Sequence, residues 1–140
     1  KGISLCGIKP DQIEANFSGQ ELKPPDAILL ASDLSQAGVT GALTTANVLK
    51  NNLDVATAKM LVEAVEGKNI SLCGIKPDQT KADFNGKGLK PPDAILLASD
   101  LSKAGVSGTL TRVDVSLNNL GEEGERLLRE ASRPSLELLL

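Results

Sequence analysis

The decapeptide ISLCGIKPDQ stands twice in this chain, at residues 3–12 and again at residues 70–79, without a single change. LKPPDAILLASDLS at residues 22–35 likewise returns intact at 89–102, and LTTANVLKNNL at 43–53 returns in looser form as LTRVDVSLNNL at 110–120. All three pairs share the offset from Ile3 to Ile70, 67 residues, so the chain reads as one domain, residues 1–140, duplicated internally as 1–67 and 68–134. A period that long exceeds one repeating unit and calls for a shorter period inside it. A chain built of such copies buries its core by stacking each unit on its neighbour.

The shorter period is visible in the third pair. Leu43, Ala46, Val48 and Leu53 are apolar with Asn51 between the last two, and Leu110, Val113, Val115, Leu120 and Asn118 repeat the frame LxxLxLxxNxL. Such a frame predicts a short strand with alternate side chains inward, then a turn whose asparagine satisfies backbone groups freed where the chain bends. Two weaker copies hold Ala15, Phe17 and Leu22, and Ala82, Phe84 and Leu89. In these, Gln20 and Lys87 take the asparagine place, and Gln12 and Gln79 the leading leucine place.

Each predicted strand is followed by a helical pattern. Ala27, Leu30, Ala31 and Leu34 fall at helical spacing, as do Ala58, Leu61, Val62 and Val65, and Ala94, Leu97, Ala98 and Leu101. Pro24, Pro25 and Pro91, Pro92 suit a first helical turn, with Asp26 and Asp93 at the positive end of the dipole. Gly38 and Gly105 are expected as left-handed caps just past the helix ends. The fourth helix, roughly 122–131, carries Leu127 and Leu128 but puts Glu125 and Arg129 where the others have small or apolar residues. SLELLL from Ser135 predicts the opening of a fifth strand, an edge without a partner beyond it.

LTTANVLKNNL with ATAKMLVEAV, and LTRVDVSLNNL with GEEGERLLREA, resemble the units of leucine-rich repeat proteins of the ribonuclease-inhibitor-like class, over about residues 12–131. The resemblance implies an α/β solenoid, a horseshoe arc of about four units with a parallel concave sheet and convex helices. It also implies that the concave face grips a protein partner. Spacings of 31, 36 and 31 residues between Leu22, Leu53, Leu89 and Leu120 exceed the usual repeat length, so extra residues must be accommodated, and the long step holds ISLCGIKPDQ. That segment reads as an extended connection tucking Ile, Leu and Cys beneath the sheet edge, with an additional strand as the alternative; Lys-Pro-Asp favours a turn. The near-perfect duplication fits a recent tandem event or consensus design.

Composition removes several function classes. There are two phenylalanines, no tryptophan, tyrosine or histidine, and a formal charge of −3 with both signs interspersed. Aromatic anchors for bases or sugars are scarce and no basic stripe is offered to phosphates, so no nucleic acid is expected. Without histidine there is no triad, no Cys–His pair and no familiar zinc site, and no phosphate-binding glycine motif occurs. No enzyme activity, cofactor or metal is therefore expected. No apolar run reaches the ~20 residues of a membrane span, so no membrane partner is expected, and the absence of a signal-like start favours the cytoplasm, although the chain begins at Lys1 and its native start is open. Cys6 and Cys73 sit at equivalent places about 10 Å apart if two strand steps separate them, too far for a disulfide, which needs Cα atoms within about 7 Å.

On a concave face the outward columns read Asn16, Asn47, Asp83, Asp114 and Glu14, Thr45, Lys81, Arg112. Lys81 and Arg112 beside Asp83 and Asp114 form a mixed-charge patch, and Leu49 and Leu117 are expected to face outward as its sizeable apolar side chains. These ten residues are the candidate protein-binding surface. The plainer reading is a solvated sheet face with cross-strand ion pairs, each worth about 0–1 kcal/mol. The expected function is a non-catalytic scaffold for another protein, with self-association through exposed terminal units. The alternatives are a consensus scaffold without natural partner and a GTPase-activating-type regulator of the same repeat class.

Overall fold

Strand and helix alternate along the chain as the spacing of Leu22, Leu53, Leu89 and Leu120 requires. The computed structural model describes residues 5–9, 11–36, 38 and 41–140. Within these, the elements run β1 (Glu14–Asn16), α1 (Pro24–Leu34), β2 (Thr45–Asn47), α2 (Val55–Ala64), β3 (Lys81–Asp83), α3 (Pro91–Leu101), α4 (Ala104–Ser107), β4 (Arg112–Asp114), α5 (Gly121–Ala131) and β5 (Glu137–Leu139). The class is mixed α/β, and among the described residues every strand pair is parallel. Parallel pairing follows from the helix between successive paired strands, which returns the chain to the same end of the sheet.

The helices begin and bury as expected. Pro24 and Pro91 open α1 and α3, and Asp26 and Asp93 accept the backbone N–H of Lys23 and Lys90 at 3.0 and 2.9 Å. At the head of α2, Asp54 accepts from Thr57 N at 2.8 Å. Ala27, Leu30 and Leu34, Ala58, Leu61 and Val65, and Ala94, Leu97 and Leu101 are buried in one continuous core. Helix packs on helix in the order α1, α2, α3, α5. One expectation fails here: Gly105 lies inside the short helix α4 and Gly38 is helical too, so neither is a left-handed cap. After α3 the chain turns into α4 instead, and Gly105 is small because the Asn69 side chain occupies the space a Cβ would need.

Asn51 and Asn118 do what their position predicts, and they do it across units. Asn51 Nδ2 donates to the carbonyls of Phe17 and Val48, both at 2.9 Å, and its Oδ1 accepts from Gln20 N and Leu22 N at 3.0 Å. Asn118 repeats the set with Phe84, Val115, Lys87 and Leu89 at 2.7–3.0 Å. One carboxamide thus closes its own turn and ties it to the turn of the preceding unit.

The sheet departs from a single ribbon. β1 pairs with β2, and separately β3, β4 and β5 pair in that order. After β2 and α2 comes the second ISLCGIKPDQ. Ser71 bridges Thr45 in parallel, Ala46 N donates to Ser71 O at 2.8 Å and Val48 N to Leu72 O at 2.9 Å, while Ile70, Leu72, Cys73 and Ile75 are buried. Ser71 stands opposite Thr45 much as Glu137 of β5 stands opposite Arg112. Both readings of the segment hold in part: it is a connection without a full strand, yet its first residues take a strand's place beside β2. Of its first copy, Ile3, Ser4 and Pro10 lie outside the described residues.

A buried carboxylate holds this segment. Asp100, at the end of α3, accepts from Ser71 Oγ at 2.5 Å, Leu72 N at 3.0 Å and Cys73 N at 3.1 Å. Asp33, its counterpart on α1, accepts from Leu5 N at 2.8 Å and Cys6 N at 2.9 Å.

Candidate binding surface

Register places the predicted columns side by side. Glu14 lies opposite Thr45 and Asn16 opposite Asn47. Lys81 lies opposite Arg112 and Asp83 opposite Asp114. β5 extends both rows, with Glu137 beside Arg112 and Leu139 beside Asp114. These last two were missed in the sequence, although the alternation of Leu136 and Leu138 with Glu137 and Leu139 carries the signal. The break between β2 and β3 divides the candidates into two patches.

The first patch is partly closed. Glu14 and Asn16 are exposed, but Asn47 is half-buried and Thr45 is buried, contrary to expectation. Gly74 and Lys76, from the segment that follows the Ser71 bridge, line one cavity of about 270 Å³ with Glu14, Asn16, Thr45 and Asn47. Gly74 comes so close that a Cβ there would lie 2.9 Å from Asn47 Nδ2, and Lys76 Nζ reaches Glu14 at 4.0 Å. ISLCGIKPDQ therefore covers sheet face that the repeat frame alone would leave open.

The second patch is open. Lys81, Asp83 and Arg112 are exposed and Asp114 is half-buried. Arg112 pairs with Glu137 at 3.3 Å, a cross-strand ion pair on a solvated face. The column of Asn16, Asn47, Asp83 and Asp114 has a local duty. Each accepts a hydrogen bond from the backbone N–H two residues on, at 2.9, 3.1, 2.9 and 3.0 Å, closing the turn after its strand. Asp114 also accepts from Ser116 Oγ at 2.6 Å, and these Ser116 bonds hold its carboxyl below the usual range. Turn closure accounts for this column without a ligand.

Leu49 and Leu117 part company. Leu49 is buried, whereas Leu117 is 81% exposed. Counted back from Asn51 and Asn118, Leu49 corresponds to Ser116, and Leu117 corresponds to Lys50. The outward expectation therefore holds for Leu117 and fails for Leu49, which turns inward to border Phe84 and Leu89 of the next unit. At the turn position shared by Gly19, Lys50, Gly86 and Leu117, φ is +66°, +61°, +61° and +60°. Leucine there holds a left-handed backbone that disfavours any side chain with a Cβ.

No protein-family model matches this chain, and no curated protein matches it.

Reactive groups are few on these patches. Neither cysteine is in a disulfide; burial, then Asp33, pushes the Cys6 thiol up to about 11, and burial, then Asp100, raises that of Cys73 well above its ordinary value. Such thiols are mostly protonated near neutrality and poor nucleophiles. Among the described residues no group of three or more cysteine or acidic side chains is placed to hold a metal ion, and no helix is long and apolar enough to cross a membrane. What the open patch offers is contact: a basic row of Lys81 and Arg112, an acidic row of Asp83 and Asp114, and the protruding Leu117.

Proposed function

We propose that this chain is a leucine-rich repeat solenoid, resembling the ribonuclease-inhibitor-like class, that binds another protein without chemistry through the face of β3, β4 and β5. Repeated strand–helix units, parallel pairing and the asparagine bonds between turns support the solenoid reading. The observation that carries the binding role is Leu117, a large apolar side chain held in solvent at a left-handed backbone angle that its sibling turns meet with Gly19, Gly86 and the charged Lys50. Strain of this kind concentrates where a surface is used. Lys81, Asp83 and Arg112 add exposed polar side chains on the neighbouring strands, and interfaces combine such polar groups with apolar ones.

The test is capture of a partner by the immobilised chain, repeated with Leu117→Gly and Arg112→Glu and with Glu63→Lys on the exposed face of α2. The reading expects a protein retained by the parent chain and by the α2 variant and lost from both face variants. A partner retained by all of them contradicts it. The unaltered decapeptide favours a second reading, a consensus scaffold, for which nothing is captured. Stimulated GTP hydrolysis by a captured GTPase would instead mark a regulator.

A further inference from the structure

The duplication supplies an internal template for one surface left open. Leu5 is 59% exposed and Leu29 46%, but their counterparts Leu72 and Leu96 are 0% exposed in the same local sequence. Ile28 is exposed where Ile95 is half-buried, and Asp26 is exposed where Asp93 is buried. What differs is the unit of residues 43–66, which stands before the second copy. Its helix α2 packs on α3, its Leu49 turns in beside Phe84 and Leu89, and its Lys50 N–H donates to Asp93 Oδ1 at 3.1 Å.

At the equivalent place in the first copy is a cavity of about 250 Å³ lined by Leu5, Cys6, Phe17, Leu22, Asp26 and Leu29. Asp26 caps its helix as Asp93 does, but no described residue stands to it as Lys50 stands to Asp93.

We infer that this face is a docking surface for a further strand–turn–helix unit of the type formed by residues 43–66. Its turn leucine fills the cavity, the next backbone N–H bonds Asp26, and an aliphatic helix covers Ile28 and Leu29. The C-terminal unit of a second copy fits poorly. It carries Ser116 in place of Leu49, and it carries the ion-paired Glu125 and Arg129, 3.6 Å apart, where α2 has Ala58 and Val62. β5 also already occupies the edge of β4. This surface lies at the other end of the array from β5, and the inference goes beyond the binding role of the open sheet face.

Cysteine labelling reads the site directly, because Cys6 lines the cavity and Cys73 is its sealed counterpart. Repeating residues 35–67 ahead of Lys1 joins Gly67 to Lys1 as it is joined to Lys68 and adds no cysteine. In the parent chain Cys6 is expected to label much faster than Cys73 with a bulky disulfide reagent. In the extended chain Cys6 is expected to slow to the rate of Cys73, and Leu49→Asp within the added unit is expected to restore it. Unchanged Cys6 labelling in the extended chain overturns the inference. A second measurement needs no extension: Leu49→Asp in the parent chain should open Cys73 to the reagent, and a Cys73 that stays sealed removes the template. Protection of Cys6 that grows with the concentration of the parent chain would assign the face to a second copy and equally overturn it.

Discussion

Asn118 Nδ2 donates to the carbonyl of Phe84 at 2.7 Å, and Asn51 does the same for Phe17 at 2.9 Å. Each carboxamide serves two turns at once, so its loss strands several backbone groups of two units. We predict that Asn118→Ala lowers stability by about 2–3 kcal/mol, since leaving buried polar groups unpaired costs about 1–3 kcal/mol each. Lys87 holds the same place in its own turn, where its exposed side chain makes no such bond. Lys87→Ala should change the urea midpoint little. Equal losses from the two substitutions would contradict the role assigned to the asparagine.

Asp100 makes stability depend on pH in a definite direction. Burial pushes its carboxyl up to about 6, above its ordinary 3.8, against the opposing bonds from Ser71, Leu72 and Cys73. Lys103 donates to the Val65 carbonyl at 2.8 Å, and its ammonium is lowered by its own burial against the opposing charges of Asp100 and Glu66. A raised carboxyl gives stability that is present below pH 4 and lost as pH rises through 6, amounting to about 3 kcal/mol. Asp93 is raised by burial too and acts in the same sense. Asp54, Asp114 and Glu123 are lowered, so their contributions vanish only as the solution turns acid below 4. The urea midpoint is therefore expected to fall from pH 5 to pH 7.5 and to fall less in Asp100→Asn. An unaltered slope in that variant would contradict the account.

Leu117→Gly separates folding from binding. The substitution relieves a left-handed leucine, a cost of roughly 1–2 kcal/mol, against the extra freedom glycine brings to the unfolded chain. A melting temperature unchanged or raised, together with loss of the captured partner, is the expected pair of results. A marked fall in melting temperature would make Leu117 a structural residue.

Much of this fold is written locally. The helices were legible because Ala27, Leu30, Ala31 and Leu34 repeat at the helical period and PPD marks the start. The strands are three residues long, too short for alternation alone, and were found through the asparagine frame. What sequence reasoning missed depends on contacts between distant residues. Asp33 and Asp100 look like ordinary helix-surface acids until ISLCGIKPDQ is laid against them. The burial of Thr45 comes from that segment crossing over β1 and β2, and the break in the sheet comes from Ser71 bridging Thr45. Leu49 was misjudged because outward alternation was carried past the end of β2 into the turn, where Leu49 borders Phe84 and Leu89 of the next unit.

Leu29 and Leu96 are the same residue in the same eleven-residue helix, one half-exposed at the open end and the other sealed beneath the preceding unit. The account rests on sideways stacking of successive units, and this pair measures it. Urea unfolding of Leu96→Ala should show a loss of about 2–5 kcal/mol, as a cavity in a packed core does, and Leu29→Ala a loss under about 1 kcal/mol. Equal losses at the two positions would mean that the second copy is not buried by the unit before it, and would contradict the stacked arrangement.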